Sequence, residues 1–211
     1  MKKNVFVSFR FSDGAKYKDK IVALLKRDNR FVDFSEDQDR SMMSKETIKK
    51  YLYSKIRKTS VTIILVTPKA LNHQKNYLGQ YDDWMYDEIR YSLEDRELNR
   101  TSGLVAVYTP EVKDMLIEGS TYKSAETGKI ENSTRIKNVN NLFRKNMMNV
   151  YPKYKKCKTE GIFDSEYDSY CQLVSYEKFI DDMDKYIDIA YEKKQICDHY
   201  DLKIDLNKIN N

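Results

Sequence analysis

The sequence is poor in the residues that build tight phosphate-binding turns. It has only 6 glycines among 211 residues, and they form neither GxGxxG nor GxxxxGK[ST]. Those patterns let backbone amides approach a phosphate at the start of a helix. The sequence also lacks GxSxG, the turn that presents the serine nucleophile of α/β-hydrolases. These absences argue against a Rossmann dehydrogenase, a P-loop nucleotide hydrolase and an α/β-hydrolase.

Cysteine and histidine are also scarce. Cys157, Cys171 and Cys197 are widely spaced without a CxxC pair, and the chain has only 2 histidines. We therefore expect no metal site and no disulfide framework, and we interpret the cysteines as reduced thiols of a cytoplasmic protein. A Cys–His nucleophilic pair stays open as an alternative, although neither His73 nor His199 lies in a recognisable catalytic pattern.

Long apolar runs are missing as well. The longest strong one, Val61–Val66, is far shorter than the roughly 20 residues that span a membrane. The N-terminal stretch MKKNVFVSF has too short an apolar part for a signal peptide, and Arg10 interrupts it. We expect a cytoplasmic protein with no membrane partner.

Charge is abundant but evenly spread along the chain. Charged residues make up 34% of the sequence, hydrophobic residues 40%, and the net charge is +5. This balance is typical of a globular protein. The most basic cluster, YPKYKKCK at residues 151–158, is a single short stretch that we interpret as solvated surface. We expect no nucleic-acid partner.

Buried strands and amphipathic helices alternate in the first half of the chain. Apolar, β-branched runs predict strands over 4–9, 30–34, 60–67 and 103–109. Helical periodicity predicts helices over 16–28, 45–57 and 82–97. This order is typical of an α/β fold, a doubly wound parallel sheet with helices on both faces. Sites in such sheets form beyond the carboxyl ends of the strands, here the loops after Phe9, Phe34, Thr67 and Thr109.

The second half has a different character. Residues 111–170 are rich in polar residues and weakly periodic, and we interpret them as an insertion with a short helix at about 135–148. A fifth strand at 170–176 and a closing helix over 176–194 follow, with Ser175 as the helix cap. We predict one domain over residues 1–197. A polar tail at 198–211 is expected to be frayed or loosely docked.

The helix that contains QYDDWMYDEIR carries a candidate catalytic acid. Glu88 lies on the same helix face as Trp84 and Tyr91, beside the apolar stripe. Burial beside aromatic rings tends to raise the pKa of a carboxyl group and suits work on a developing cation. Two alternatives stay open. Glu88 could be an ordinary exposed helix acid, and Asp87 competes with it if the helix register differs by one residue.

The sequence resembles a known family at several points. KNVFVSFRFSD as first strand and loop, TSVTIILVTP as third strand, and WMYDEI on the following helix are similar to the TIR-like family. More narrowly, they resemble the TIR-like proteins of bacterial Thoeris antiphage defence. The resemblance covers about residues 1–110, and SYEKFIDDMDKYIDIA resembles the end of the family's domain. We match no family motif to residues 111–170.

The resemblance implies a flavodoxin-like fold and an enzyme that consumes NAD. In the family, the catalytic glutamate lies on the helix after the third strand and holds the nicotinamide ribose, a position that matches Glu88. Phe9, Arg10 and Phe11 match the region that holds the nucleotide. The loop that contains Asp37 borders the site. Trp84 is interpreted first as a packing residue and then as a pocket wall. NAD is the substrate, and no cofactor or metal is implied.

The family also suggests a biological role. We expect release of nicotinamide and formation of a cyclic or conjugated ADP-ribose messenger, which a separate effector protein senses during phage infection. A phage-derived trigger and a self-associated form of the protein are further expected partners. Two alternatives stay open: a toxin that depletes NAD by hydrolysis, and a non-catalytic module that acts through TIR–TIR contacts.

Overall fold

The computed structural model describes residues 2–35, 45–71, 84–95, 100–123, 130–137, 141–156, 158 and 164–204. The strands of this part are β1 (Lys3–Ser8), β2 (Phe31–Asp33), β3 (Val61–Val66), β4 (Gly103–Tyr108), β5 (Ile117–Lys123), β6 (Ile130–Ile136) and β7 (Cys171–Ser175). Its α-helices are α1 (Phe11–Arg27), α2 (Lys45–Ile56), α3 (Pro68–Leu71), α4 (Trp84–Leu93), α5 (Lys113–Leu116), α6 (Asn141–Lys145), α7 (Tyr176–Asp181) and α8 (Met183–Gln195).

Five parallel strands form the central sheet in the order β2-β1-β3-β4-β7. The chain moves outward from β1 to β2 and then returns to the other side of β1. This order confirms the predicted doubly wound, flavodoxin-like α/β fold. Each of the five predicted strands lies within one residue of its observed bounds at both ends.

The central strands form because they are apolar along their whole length. Every residue of β3 and of β4 is buried, as expected for parallel strands that have helices on both faces. Their register pairs Val61 with Gly103 and Val66 with Tyr108. A common register brings the carboxyl ends of both strands to the same edge of the sheet.

Two hydrophobic cores lie on the two faces of the sheet. The first core packs α1, α7 and α8 against one face. The second core packs α3, α4 and α6 against the other face. Helix α8 crosses the start of β4 very closely, since a Cβ atom on Gly103 would lie 2.1 Å from the carbonyl oxygen of Ala190.

The closing helix is divided in two. The prediction placed one helix over 176–194, but the backbone leaves helical geometry at Asp182 (φ −141°, ψ 51°) and separates α7 from α8. The predicted cap is confirmed, because the Ser175 hydroxyl accepts a hydrogen bond of 3.3 Å from the Lys178 amide.

The insertion contains a β-hairpin that the sequence analysis did not predict. Strands β5 and β6 pair antiparallel from Ile117↔Ile136 to Lys123↔Ile130. The short helix predicted at about 135–148 is present as α6, but it covers only Asn141–Lys145, because β6 extends to Ile136. Cross-strand pairing with β5 stabilises β6, although its sequence is polar and weakly periodic.

The tail is held more firmly than expected up to residue 204. The Tyr200 hydroxyl donates to the Tyr167 carbonyl at 2.8 Å, and the Asp201 amide donates to the Asn149 carbonyl at 2.8 Å. The Lys203 amide donates to Asn146 Oδ1 at 2.9 Å. The expectation of a loosely held tail is therefore wrong for residues 198–204.

Among the described helices, none combines the length and apolarity that crossing a membrane requires.

Candidate functional site

The carboxyl ends of the central strands place polar side chains at one edge of the sheet. Ser8 ends β1, Thr67 follows β3 and Thr109 follows β4, and all three residues are buried. Within the described residues, Ser8 Oγ and Thr67 Oγ1 have no hydrogen-bond partner. Folded proteins seldom leave buried hydroxyls unpaired. The carboxyl edge of the sheet is therefore the candidate functional site.

The connection between β1 and α1 lies at this edge. Phe9 is buried in the first core, and its ring centroid lies 4.6 Å from that of Phe11, the first residue of α1. Arg10 is the half-buried N-cap residue of α1. A cation at this helix end is not favoured by the helix dipole. Helix capping therefore does not explain why an arginine occupies this position.

Glu88 is buried at the centre of α4. The predicted apolar stripe, Met85, Ile89 and Leu93, packs into the second core. Glu88 lies beside that stripe with only 1% of its surface exposed, and both of its carboxylate oxygens are shielded from solvent. Fully buried carboxylates are rare in proteins. The alternative of an exposed helix acid is thus wrong for Glu88.

Asp87 differs clearly from its neighbour. Its side chain is 31% exposed, and one of its oxygens lies 3.8 Å from the guanidinium of Arg90 on the same helix. This arrangement is an ordinary surface ion pair between residues three apart on a helix. The two adjacent acids therefore offer a buried candidate and an exposed comparison.

The register of the sheet relates Glu88 to Ser8. The Ser92 and Thr62 hydroxyls lie 3.0 Å apart and fix the end of α4 near the start of β3. Glu88 lies one helical turn from Ser92, on the side of α4 nearer the carboxyl edge. Ser8 pairs with Ile64, and the Ile64 side chain packs into the second core, below α4. Ser8 and Glu88 thus belong to the same face of the sheet.

A second group of charged residues lies across the sheet edge, beside α1. The Glu111 carboxylate, just after β4, contacts the Tyr17 hydroxyl and lies 3.3 Å from the Lys16 ammonium. The hydrogen bond from the Tyr17 hydroxyl is the largest cause that lowers the pKa of Glu111 to about 2. Burial, and then the contact with Glu111, raises the pKa of Tyr17. Glu111 is therefore a fixed anion at neutral pH.

A cavity opens beside these charges. Its volume is about 460 Å³, and we name it the α1 pocket. Its lining includes Phe11, Ser12, Asp13, Lys16, Pro68 and Glu111. The loops after β1, β3 and β4 all contribute to it, so it belongs to the carboxyl edge. The Lys69 amide donates a 2.9 Å hydrogen bond to Asp13 Oδ2, which joins the starts of α1 and α3.

Two predicted site residues cannot be compared with the others. Asp37 lies outside the described residues, and so does the side chain of Trp84, although its backbone begins α4. The remaining candidates fall into two groups. Phe9, Arg10 and Phe11 lie together at the start of α1, while Glu88 lies across the sheet on α4. Their roles stay predictions.

Sequence reasoning missed three polar residues at this edge. It singled out the loops after Thr67 and Thr109 but assigned no role to Ser8, Thr67 or Glu111. The signal was present, because each residue ends or directly follows a strand that the sequence predicts. Among the described residues, no group of three or more His, Cys, Asp or Glu side chains is positioned to hold a metal ion.

Comparison with protein families adds one finding. A family model described as Thoeris protein ThsB, TIR-like domain, matches residues 6–114. The match covers 109 of the 211 residues. It extends from β1 into α5 and includes Arg10, Glu88 and Glu111. It confirms the resemblance that KNVFVSFRFSD, TSVTIILVTP and WMYDEI indicated.

Proposed function

The chain belongs to the TIR-like domain family of the Thoeris protein ThsB, a TIR-type antiphage defence family, and we propose that it cleaves NAD. The products are nicotinamide and an ADP-ribose-derived signalling nucleotide, cyclic or conjugated. A separate effector protein senses that nucleotide. NAD is the substrate of this reaction, and the proposal includes no additional cofactor.

The observation that carries the proposal is the burial of Glu88. Its carboxylate lies out of solvent on α4, on the sheet face to which Ser8 also belongs. Removing a carboxylate from water is costly, so a fully buried carboxylate is a candidate for a functional role. The family membership suggests that this role is in NAD cleavage.

The reaction needs a fixed negative charge. When the bond between C1′ of the ribose and the nicotinamide nitrogen breaks, both bonding electrons leave with nicotinamide, which departs as a neutral molecule. The ribose is left as an oxocarbenium-like cation. A carboxylate held near that cation stabilises the transition state, and it does so more strongly where water is excluded. Glu88 has this role in the proposal and also holds the ribose hydroxyls.

Other residues of the carboxyl edge support the substrate. Arg10, at the connection between β1 and α1, is proposed to bind the diphosphate, since a guanidinium pairs well with phosphate oxygens. The cation is then captured by water, by the adenine end of the same molecule or by another nucleophile, and the nucleophile releases a proton, from the attacking oxygen or, where an adenine ring nitrogen attacks, from the exocyclic amine. A phage-derived trigger and self-association of the chain are proposed to regulate this step.

The test compares two adjacent acids on α4. We expect Glu88→Gln to reduce nicotinamide release at least about a hundredfold, because it removes the charge that faces the cation. Asp87→Asn removes an exposed charge one residue away and is expected to stay within about twofold of the wild type. Mass spectrometry of nicotinamide and ADP-ribose derivatives, in cells with and without phage, measures both.

The identity of the product distinguishes a messenger-producing enzyme from an NAD-depleting toxin and from a non-catalytic module. A new ADP-ribose-derived species that disappears in Glu88→Gln supports the messenger, and its mass distinguishes a cyclic from a conjugated product. Linear ADP-ribose alone, with loss of NAD, would identify a depleting toxin. If neither condition releases nicotinamide and Glu88→Gln still protects cells from phage, the catalytic proposal is wrong and a non-catalytic module remains.

A further inference from the structure

The α1 pocket lies at the carboxyl edge of the sheet, and Glu88 is not among its lining residues. Most of the lining belongs to α1, which packs in the first core, whereas Glu88 belongs to α4, which packs in the second. Glu88 lies on the half of α4 nearer the carboxyl edge, where the strands end. A ligand that reaches both must therefore extend over that edge, as a dinucleotide with two separate ends can.

We propose that the α1 pocket holds the adenosine end of NAD, with Glu111 accepting hydrogen bonds from the ribose hydroxyls and Phe11 packing against the adenine ring. The inference rests on the proposed function. It adds a binding role for Glu111, Ser12 and Asp13, none of which the resemblance assigns. It also gives the dinucleotide a direction across the sheet edge, with nicotinamide near Glu88.

The size and shape of the pocket suit a nucleoside. Its volume of about 460 Å³ falls within the usual 300–1,000 Å³ or so of small-molecule sites. Phe11 is the aromatic residue of its lining, and the ring keeps part of its surface exposed while it packs against Phe9. An aromatic ring at the wall of a polar pocket is what stacking of a base requires.

The charges select the adenosine rather than the diphosphate. The lining carries two carboxylates, Asp13 and Glu111, against one ammonium, Lys16, and Lys16 is already paired with Glu111 at 3.3 Å. The local balance is negative, which disfavours a phosphate group. Vicinal ribose hydroxyls instead donate hydrogen bonds, and a carboxylate can accept two of them at once.

Unpaired acceptors support a ligand at this position. Asp13 Oδ1 is shielded from solvent and has no hydrogen-bond partner among the described residues, although Oδ2 accepts from the Lys69 amide. The buried hydroxyl of Thr67, next to Pro68 of the pocket wall, is likewise unpaired within that part of the chain. Leaving such groups unpaired costs stability. A bound polar ligand would offset that cost.

The test separates the two halves of the dinucleotide. AMP and nicotinamide mononucleotide are titrated calorimetrically into the Glu88→Gln protein, which is expected not to turn either over. Adding Glu111→Gln should weaken AMP binding roughly tenfold, the loss expected for a hydrogen bond to a charged group. Binding of nicotinamide mononucleotide should stay within about twofold, because that half does not enter the pocket.

A matched control and a blocking variant complete the experiment. Glu118→Gln removes a carboxylate of similar exposure, 49% against 44%, that is also paired with a lysine, and it should change neither titration. Ser12→Phe places a ring in the pocket from an exposed position on α1. It should abolish measurable AMP binding without affecting the other nucleotide.

The outcomes distinguish this inference from the proposed function. In the otherwise unchanged protein, Glu111→Gln should raise the KM for NAD about tenfold and leave kcat within about twofold. If NAD is cleaved but neither AMP binding nor KM responds to Glu111→Gln and Ser12→Phe, the inference is wrong and the function stands. Equal loss of both nucleotides would also overturn it. If NAD is never cleaved, the function fails, whatever AMP does.

Discussion

The chain up to Thr109 and the segment from Pro110 to Tyr170 bury their residues in different ways. In the first region, β3 and β4 are buried along every residue, and the sheet has a core on both faces. In the second, isolated buried side chains such as Leu116, Leu142 and Phe143 pack into the second core. The first region supplies the central strands of both cores, and the second adds a few buried side chains to one of them.

The candidate site residues lie almost entirely in the first of these two regions. The family match covers residues 6–114 and ends where the inserted segment begins. Every candidate site residue, from Ser8 to Glu111, lies within the matched part. Glu111 lies two residues past the end of the first region, where a strand end turns into the insertion. The parallel sheet, rather than the insertion, therefore positions most of the candidate site residues.

The largest expected effect compares one glycine from each region. Gly103→Ala should destabilise the protein by roughly 3 kcal/mol or more, because its Cβ would lie 2.1 Å from the Ala190 carbonyl oxygen and force α8 away from β4. Gly119→Ala in β5 should change stability by less than about 0.5 kcal/mol, since a Cβ there meets nothing within 4 Å. Urea unfolding measures both.

Equal effects of the two substitutions would contradict the difference in packing between the two regions. If Gly119→Ala were as harmful as Gly103→Ala, the hairpin would be packed as closely as the parallel sheet. If Gly103→Ala were harmless, α8 would adapt easily, and the closeness of helix and strand would not limit the fold.

Asn146 tests whether the insertion and the tail depend on each other. Its side-chain amide donates to the Leu142 and Lys203 carbonyls at 2.9 and 2.7 Å, and its Oδ1 accepts from the Lys203 amide. Asn146→Ala should cost about 2–3 kcal/mol, because it removes three hydrogen bonds made by a fully buried side chain and leaves their partners unpaired. Hydrogen exchange at residues 200–203 should accelerate in the variant while exchange in β3 stays slow.

The exposed neighbour Lys145 supplies the control. Lys145→Ala should change the free energy of unfolding by less than about 0.5 kcal/mol and leave exchange at Lys203 unaltered. If Asn146→Ala accelerated exchange in β3 as much as in the tail, the two regions would unfold as one unit, and the distinction between them would have no energetic meaning.

The secondary structure of a region can be predicted from sequence when the region's own residues carry the pattern that stabilises it. Strands such as Val61–Val66 are recognisable because their own residues are continuously apolar. The hairpin was missed because its strands are polar and weakly periodic, and the hydrogen bonds between β5 and β6 leave no apolar pattern in the sequence. The tail was misjudged because its hydrogen bonds come from a residue more than fifty positions away, Asn146.

The sequence analysis identified some residues of the candidate site and missed others. Glu88 became a candidate because it lies beside an apolar stripe of α4 and because its position matches the catalytic glutamate of the family; its role stays a prediction. Ser8, Thr67 and Glu111 were not, because only the assembled sheet brings the ends of β1, β3 and β4 together. The rule that places sites at carboxyl strand ends could have included them.

Lys193 tests the electrostatic interaction between the closing helix α8 and the acids of the inserted segment. This lysine of α8 is buried, its ammonium has no hydrogen-bond partner among the described residues, and burial lowers its pKa to about 8. Cys171 and the acids of the inserted segment, Glu166, Asp164 and Asp168, face it and oppose that shift.

Below pH 8 the lysine is charged in both the folded and the unfolded protein, and the cost of burying the charge is fully present. Between about 8 and 10.5 the unfolded chain binds more protons than the folded one, so stability rises with pH. Lys193→Met should therefore stabilise the protein at pH 7 by something on the order of 2 kcal/mol, and the gain should shrink toward pH 10.

Urea unfolding at pH 7 and pH 9.5, with the exposed Lys178→Met as control, measures the change. A gain that did not depend on pH would show that Lys193 stays protonated in the folded state because the acids of the inserted segment stabilise its charge. A loss of stability at pH 7 would show that these acids attract the ammonium strongly enough to offset the cost of its burial.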